Sequence, residues 1–126
     1  MKEIICGYEI EAVLQHRGNS KVLLLQDENR FLVMKTVAVQ SKKDKEQLLR
    51  EIFVLQRLNH PNIIEIKDVY KDPISFTMPY IDGRQLTDVI IIGGISSQSL
   101  LRIVEGLLLA VQHVHNKGLL HCDLKP

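Results

Sequence analysis

The 126-residue sequence has no closely spaced cysteine pair and no long apolar run. Its two cysteines, Cys6 and Cys122, lie near opposite ends of the chain, so their spacing predicts neither a disulfide framework nor a zinc site. The longest apolar runs, such as residues 107–111, are too short to cross a bilayer. The N-terminal residues lack the apolar core of a signal peptide. We therefore expect free thiols and a cytoplasmic protein without a membrane partner.

The sequence also lacks an excess of charge of one sign. The net charge is +1, which gives no electrostatic reason to expect binding to nucleic acid or to a membrane surface. Hydrophobic residues make up 45% of the chain and charged residues 25%, the balance of an ordinary globular protein. There is no internal repeat and no low-complexity segment, so the length indicates one small domain.

The first third of the chain has the pattern of an antiparallel meander. Residues 8–15 and 21–26 are rich in strand formers, and Gly18-Asn19 between them suits a hairpin turn. Residues 27–29 form a second turn, and residues 31–39 a third strand. In that strand Lys35 shares a face with apolar neighbours, where a charged amine is costly unless it is paired. The alternative is an edge-strand lysine that extends to water.

A helix with an apolar stripe follows. Ser41 or Asp44 can cap it, and it is predicted to run to about residue 58, with Leu48 and Ile52 in the stripe. Glu51 lies beside this stripe, where its carboxylate could reach Lys35. Taken alone, a glutamate at such a position is more often a solvated helix residue, and the pairing with Lys35 is the alternative.

Pro61 ends this helix, and a fourth strand is predicted to begin at residues 59–64 and continue to residue 70. Residues 75–78 form the fifth strand, and residues 77–83 read alone are an ordinary strand exit and turn. A short helix over residues 86–92 ends at Gly93-Gly94. A long helix over residues 97–117 follows and ends at Gly118. Its apolar positions nearly encircle it, which predicts burial on most sides.

The last six residues, His121-Cys122-Asp123-Leu124-Lys125-Pro126, hold the strongest chemical signal. A carboxylate can accept a proton from a hydroxyl, and an ammonium group two positions away can neutralise a transferring phosphoryl group. This segment resembles the catalytic loop of eukaryotic-type protein kinases, H-R-D-L-x-x-x-N. Lysine and proline after the aspartate resemble the serine/threonine branch. The strand lysine, the helix glutamate and His60-Pro61-Asn62 follow in the order of that family.

The resemblance implies an α+β fold. It consists of a kinase-like N-lobe, a five-stranded antiparallel sheet with one helix, followed by two helices of a truncated C-lobe. Residues 1–126 would be a partial protein kinase domain, with the N-lobe at 1–78, the hinge at 79–83 and the start of the C-lobe at 84–126.

The resemblance also implies an ATP site. Asp123 would accept the substrate hydroxyl proton, Lys125 would stabilise the transferred phosphoryl group, and Lys35, oriented by Glu51, would contact the ATP phosphates. The residues implied in adenine binding are Leu14, Val22 and Val33 above the ring, Met78 as gatekeeper, and the Pro79 carbonyl and Ile81 N–H at its edge.

The sequence departs from the family at several places. The three glycine places of the phosphate-binding loop hold Gln15, Arg17 and Ser20, whose side chains should keep the loop away from phosphates. Val33 replaces a small alanine, which narrows the adenine pocket. Cys122 replaces the arginine that receives a phosphorylated activation loop. This cysteine is interpreted as a small buried thiol, and the alternative is a redox-active one.

The sequence ends before the metal-binding asparagine and the D-F-G aspartate of the family, so we expect Mg²⁺ to bind only if the missing C-lobe is supplied. Two functions follow. One is a serine/threonine kinase domain, present as a fragment that does not turn over alone, with a protein substrate. The other is a non-catalytic, kinase-derived interaction module, with a protein partner or an oligomer covering residues 97–117 and with no role for Lys35. An unrelated α+β domain is the third reading, and it requires Lys35 and Glu51 to lie apart.

Overall fold

The computed structural model describes residues 1–38 and 40–119 of the chain. Within them the chain forms six strands and three helices: β1 (Ile4–Ile5), β2 (Tyr8–Arg17), β3 (Ser20–Asp27), β4 (Arg30–Val37), α1 (Lys42–Gln56), β5 (Val69–Lys71), β6 (Ile74–Pro79), α2 (Leu86–Ile92) and α3 (Ser97–Asn116). The chain divides into two compact units, one of residues 1–57 and 64–80, the other of residues 58–63 and those from 81 onward.

The first unit contains the whole sheet and helix α1. Its strand order is β1-β2-β3-β4-β6-β5, and every neighbouring pair is antiparallel. The central strands are buried on both sides and form two apolar clusters. On one side, α1 packs on β4 and β6 through Val37, Leu48, Ile52, Ile74 and Phe76. The other cluster consists of Leu23, Leu25, Leu32 and Met34.

Tight turns fix the register of the central strands. Gly18 has φ +56°, a conformation that glycine adopts without a steric penalty, and the turn pairs Arg17 with Ser20. From there the pairing of β3 with β4 is continuous to Asp27 and Arg30. A one-residue slip would place the apolar set on the wrong face, so this unbroken register determines which side chains meet.

The second unit is built on α3, whose N-cap Ser96 accepts a hydrogen bond from the Ser99 N–H. The loop before β5 is fastened to this helix at two points. The Asn62 side-chain amide donates to the Gly106 carbonyl at 3.0 Å, and the Asn59 N–H donates to His113 Nε2 at 3.2 Å. A Cβ at residue 106 would lie 3.4 Å from the Asn62 amide nitrogen, an ordinary van der Waals distance, so this contact does not by itself require a glycine in the middle of the helix.

The predicted elements agree with the observed ones, apart from the following differences. The sheet has one strand more than the five predicted, because β1 is only two residues long and too short to give a sequence pattern. The fourth strand is confined to Val69–Lys71, whereas we predicted that it begins before residue 64. Helix α1 ends at Gln56, two residues before the predicted end. The third strand was predicted to reach residue 39 and ends at Val37, within the described residues.

Candidate active site

Strand β4 holds two of the predicted site residues on one face. Lys35 lies between Val22 of β3 and Phe76 of β6, and Val33 is paired with Met78 of β6. Directly paired residues of antiparallel strands point to the same side of a sheet. Val22, Val33, Lys35 and Met78 therefore share the face on which α1 packs.

Lys35 and Glu51 form an ion pair on this face. Lys35 Nζ lies 2.8 Å from Glu51 Oε2 and 3.1 Å from Oε1. Helix α1 is held on β4 by buried Leu48 and Ile52, and Glu51 lies between these two in the sequence. Packing thus turns the carboxylate toward the strand lysine. Lys35 therefore lies on an interior strand and not at an edge, and Glu51 is its ion-pair partner.

The ion pair lines a cleft that remains open to solvent. The side chains of Lys35 and Glu51 keep 31% and 37% of their surface exposed. The cleft has a volume of about 70 Å³, and its walls are Ser20, Lys35, Val37, Asp44, Gln47, Leu48 and Glu51. An ammonium group has three donors, so Lys35 can bind an anionic oxygen while it stays paired with Glu51.

The β2–β3 hairpin occupies the position at which a phosphate-binding loop is predicted. Leu14 is the unpaired residue of a bulge between the pairs Val13–Leu23 and Gln15–Val22. Gln15 and Arg17, at two of the glycine places, are both exposed strand residues. The side chains of this hairpin replace the bare backbone that a glycine-rich loop presents to phosphates.

The predicted hinge leaves the sheet at the end of β6. Met78 and Pro79 pair with Val33 and Leu32 of β4. Next to them the Tyr80 ring meets the Phe31 ring edge to face, with centroids 6.1 Å apart. Ile81 belongs to the second unit and is 68% exposed.

Sequence reasoning missed a polar cluster at the tip of the β2–β3 hairpin. The Asn19 side-chain amide donates to Asp44 Oδ2 at 3.3 Å, and the Ser41 hydroxyl donates to the same oxygen at 2.6 Å. These hydrogen bonds, that from Ser41 first, lower the pKa of the Asp44 carboxyl below its usual value. We predicted Ser41 or Asp44 as a cap of α1. Ser41 occupies the N-cap, but its side chain bonds Asp44 and makes no capping hydrogen bond to the helix.

The structure thus gathers most of the predicted site in the first unit: Leu14, Val22, Val33, Lys35, Glu51, Met78 and Pro79. Ile81 lies in the second unit, and the predicted residues Cys122, Asp123 and Lys125 lie outside the described residues. Among residues 1–38 and 40–119, no three or more His, Cys, Asp or Glu side chains form a group that could hold a metal ion. No helix in that part of the chain is both long and apolar enough to cross a membrane.

Two features together define the N-lobe of a protein kinase. One is a curled antiparallel sheet with one helix packed on it, and the other is a strand lysine paired with a glutamate of that helix. The family profile of the protein kinase domain matches residues 16–126. The chain therefore belongs to the protein kinase family, and its curated relatives lie in the serine/threonine branch. The predicted family and fold class are confirmed.

Two relatives and two solved structures illustrate the similarity. The chain is 32% identical to rat calcium/calmodulin-dependent protein kinase type 1B over 131 residues, which cover 99% of this chain and 38% of the relative. It is 33% identical to mouse calcium/calmodulin-dependent protein kinase type IV over 122 residues, covering 94% of this chain and 26% of the relative. The chain thus spans well under half the length of these relatives.

Among solved structures, Rad53 1–466 in complex with AMP-PNP superposes with a TM-score of 0.76 and 27% identity, covering 94% of this chain and 33% of that one. The Mycobacterium tuberculosis PknI kinase domain superposes with a TM-score of 0.73 and 24% identity, covering 99% of this chain and 54% of that one. The second likeness supports the fold alone.

Proposed function

We propose that this chain is the nucleotide-binding part of a serine/threonine protein kinase, which transfers the γ-phosphoryl group of ATP to a hydroxyl group of a protein. The observation that carries the proposal is the Lys35–Glu51 ion pair, at 2.8 Å, in a cleft between strand β4 and helix α1. Such a pair orients a lysine toward phosphate oxygens while its carboxylate partner stays fixed by helix packing.

Lys35 and the apolar residues near the ion pair suit the phosphates and the base of a nucleotide, whereas the β2–β3 hairpin suits the phosphates less well. Lys35 supplies a cation for the phosphates, and the apolar side chains on the same side of the sheet supply a surface for a base. In the proposed site the base contacts Leu14, Val22, Val33 and Met78, and its edge is bound by the Pro79 carbonyl and the Ile81 N–H. The hairpin with Gln15, Arg17 and Ser20 fits less well, since its side chains occupy the approach to the phosphates.

The transfer step needs groups that the resemblance places at the end of the chain. Asp123 accepts the proton of the substrate hydroxyl, the hydroxyl oxygen forms a bond to the γ-phosphorus, and the bond to the bridging oxygen of ADP breaks. Lys125 neutralises charge on the transferred group. Bound Mg²⁺ would supply further charge neutralisation. No step is assigned to the metal, because no three or more His, Cys, Asp or Glu side chains of the described residues form a group that could hold one.

A lysine substitution with a matched control tests nucleotide binding. Lys35→Met removes the ammonium group, whereas Lys21→Met removes a strand lysine that is paired with Thr36, on the other face of the sheet. Binding of an ATP analogue is measured by isothermal calorimetry and by the rise in Tm. We expect at least about a tenfold loss of affinity for Lys35→Met, since a charged hydrogen bond contributes roughly 1.5–3 kcal/mol, and no loss for Lys21→Met.

Two results would contradict the proposal. One is equal affinity of the wild type and Lys35→Met. The other is a wild-type chain that binds no nucleotide at millimolar concentration. Transfer itself is tested separately, by adding a C-lobe polypeptide from a related kinase and radiolabelled ATP. Absence of phosphate on a generic basic protein would count against catalysis.

Val33 gives a further test of where the base binds. Its side chain is 9% exposed and shares the sheet face of Lys35. If the adenine lies against it, Val33→Ala removes two methyl groups from the pocket, and nucleotide affinity should rise several-fold. Leu32→Ala, an adjacent buried residue on the opposite face, is the control and should give no such gain. An unchanged affinity in Val33→Ala would place the base elsewhere.

A second candidate is a non-catalytic, kinase-derived interaction module. It is favoured by the apolar surface of α3, where Leu101 and Leu108 are 69% and 63% exposed. A protein partner or a second copy of the chain would cover this surface. Sedimentation over a range of concentrations tests the second copy, with Leu101→Gln and Leu108→Gln expected to abolish association. A monomer at all concentrations that also binds no C-lobe polypeptide would exclude this candidate.

A further inference from the structure

The tip of the β2–β3 hairpin, residues 17–20, is held at two points outside its own strands. The Asn19 carbonyl accepts a hydrogen bond from the Ala38 N–H at 2.8 Å, just after β4. The Asn19 side-chain amide reaches Asp44 in the first turn of α1 at 3.3 Å. One residue thus connects the hairpin tip to the end of a sheet strand and to the start of the helix that carries Glu51.

The Asp44 carboxylate also binds a second side chain, that of Ser41. The Ser41 hydroxyl donates to the same Oδ2 atom at 2.6 Å, although Ser41 occupies the N-cap position of α1. An N-cap serine ordinarily accepts from the helix backbone, and here its side chain makes no such bond. The carboxylate therefore has a fixed position, facing the hairpin tip.

The contact also borders the cleft that contains the ion pair, since Asp44 lines this cleft. Ser20 from the hairpin and Asp44 and Gln47 from α1 line the same cleft as Lys35 and Glu51. If Asn19 and Asp44 separate, the hairpin tip and the helix lose a direct side-chain link across this cleft. The strand pairing below them would remain.

We propose that Asp44 is a positioning residue, which holds the hairpin tip over the Lys35–Glu51 cleft through Asn19. In the bound state of the proposed site, this hairpin covers the nucleotide phosphates, and the contact makes hairpin and helix move together. This consequence for nucleotide rests on the proposed function. Ordering the hairpin before the ligand arrives reduces the entropy that binding must overcome.

Amide hydrogen exchange of the full chain tests the contact without nucleotide. The Ala38 N–H is the reporter, because it donates to the Asn19 carbonyl. We expect Asn19→Ala and Asp44→Ala to accelerate its exchange about 3- to 10-fold, while Asp44→Asn, which keeps an acceptor oxygen, stays close to the wild type. Asn29→Ala, at the turn between β3 and β4, is the matched control and should leave the Ala38 amide unchanged. Equal exchange in Asp44→Ala and the control would overturn the proposal.

Nucleotide affinity tests the positioning role in the same variants. We expect Asp44→Ala to bind an ATP analogue about 2- to 10-fold more weakly, and Asp44→Asn to restore most of the affinity. Faster exchange with unchanged affinity would overturn the positioning role. If the wild type binds no nucleotide, the proposed function fails. The exchange measurement then decides by itself whether Asp44 holds the hairpin tip.

Discussion

The Lys35–Glu51 ion pair should matter far more for ligand binding than for folding. A double-mutant cycle of Lys35→Met, Glu51→Gln and the double variant isolates its contribution to the free energy of unfolding. Methionine keeps the unbranched apolar stem of the lysine between its strand neighbours Val22 and Phe76, and glutamine keeps the shape of the glutamate. The cycle therefore removes charge with little change in packing.

The expected coupling energy follows from the distance and the exposure of the pair. Two unit charges 2.8 Å apart attract by about 1.5 kcal/mol at the dielectric constant of water, and by more inside a protein. However, the two side chains keep 31% and 37% of their surface exposed, and exposed pairs typically contribute 0.2–1 kcal/mol. We therefore expect a coupling of about 0.5–1.5 kcal/mol.

Tyrosine fluorescence during urea unfolding is the appropriate assay. The chain has no tryptophan and three tyrosines, Tyr8, Tyr70 and Tyr80, and all three lie in the unit that contains the ion pair. The signal therefore reports unfolding of this unit even if the other unit unfolds separately. The Asp27–Arg30 pair is the control, with an expected coupling below about 0.5 kcal/mol, because its atoms lie 3.3 Å apart and the Arg30 side chain is 67% exposed.

A coupling energy above about 3 kcal/mol would refute this reasoning. It would mean that the pair behaves as a buried ion pair, and that the loss of nucleotide binding in Lys35→Met reports partial unfolding. A coupling of zero with Lys35→Met still defective in nucleotide binding would show that Glu51 does not orient Lys35 in solution.

Three further predictions concern the core, the hairpin contact and α3. Phe76→Ala should destabilise the first unit by about 3–5 kcal/mol, because Phe76 is 1% exposed. The control Phe53→Ala, at a residue that is 62% exposed, should cost well under 1 kcal/mol, and urea unfolding followed by tyrosine fluorescence measures both. Equal effects would contradict the assigned core. Ser41→Ala should raise the pKa of Asp44 more than Asn19→Ala does, as measured by carboxyl NMR titration, because the Ser41 hydrogen bond is the larger cause of the lowered value. An unchanged Asp44 titration in both variants would exclude the contact. The contribution of Asp44 to stability is present above pH 3.8, its ordinary pKa, and is lost as the pH falls through the lowered pKa of the folded state. Gly106→Ala should raise the Tm of α3, because alanine is about 1 kcal/mol more favourable than glycine in a helix and its Cβ fits 3.4 Å from the Asn62 amide. Circular dichroism measures the Tm, and a lower Tm would mean that Asn62 cannot move aside.

Local patterns were sufficient to predict most of the elements. The alternation along β4 predicted the face of Lys35, and the glycines after α2 and α3 marked helix ends, with Gly93 and Gly118 both at φ +77°. The apolar stripe of α1 predicted which side packs on the sheet. These features repeat within a few residues, so they can be recognised in one sequence. The ion pair was predicted from the order of lysine and glutamate in the family that the chain resembles.

Long-range polar contacts could not be predicted in this way. Asn19 and Asp44 are 25 positions apart, and the Asn62 side chain and Gly106 are 44 positions apart. Neither pair has a period or a spacing that marks it. Both depend on how loops lie on helices after the apolar faces have packed. The short strand β1 escaped prediction for a related reason, since two residues carry no alternation.

The departures at the phosphate-binding hairpin and the Asn19–Asp44 contact have a common physical consequence. A glycine-rich loop is free to change its backbone and is ordered chiefly by the phosphates it binds. This hairpin instead has side chains at the glycine places and is fastened to α1 and to the end of β4. Its position is therefore determined by the protein before any ligand binds. Such a hairpin loses little entropy on binding but adapts poorly to phosphates, so we expect nucleotide affinity to depend mainly on Lys35 and only weakly on substitutions of Gln15 and Arg17. A large loss of affinity in Arg17→Ala, measured by calorimetry beside Lys35→Met, would show that the hairpin does contact the phosphates through its side chains.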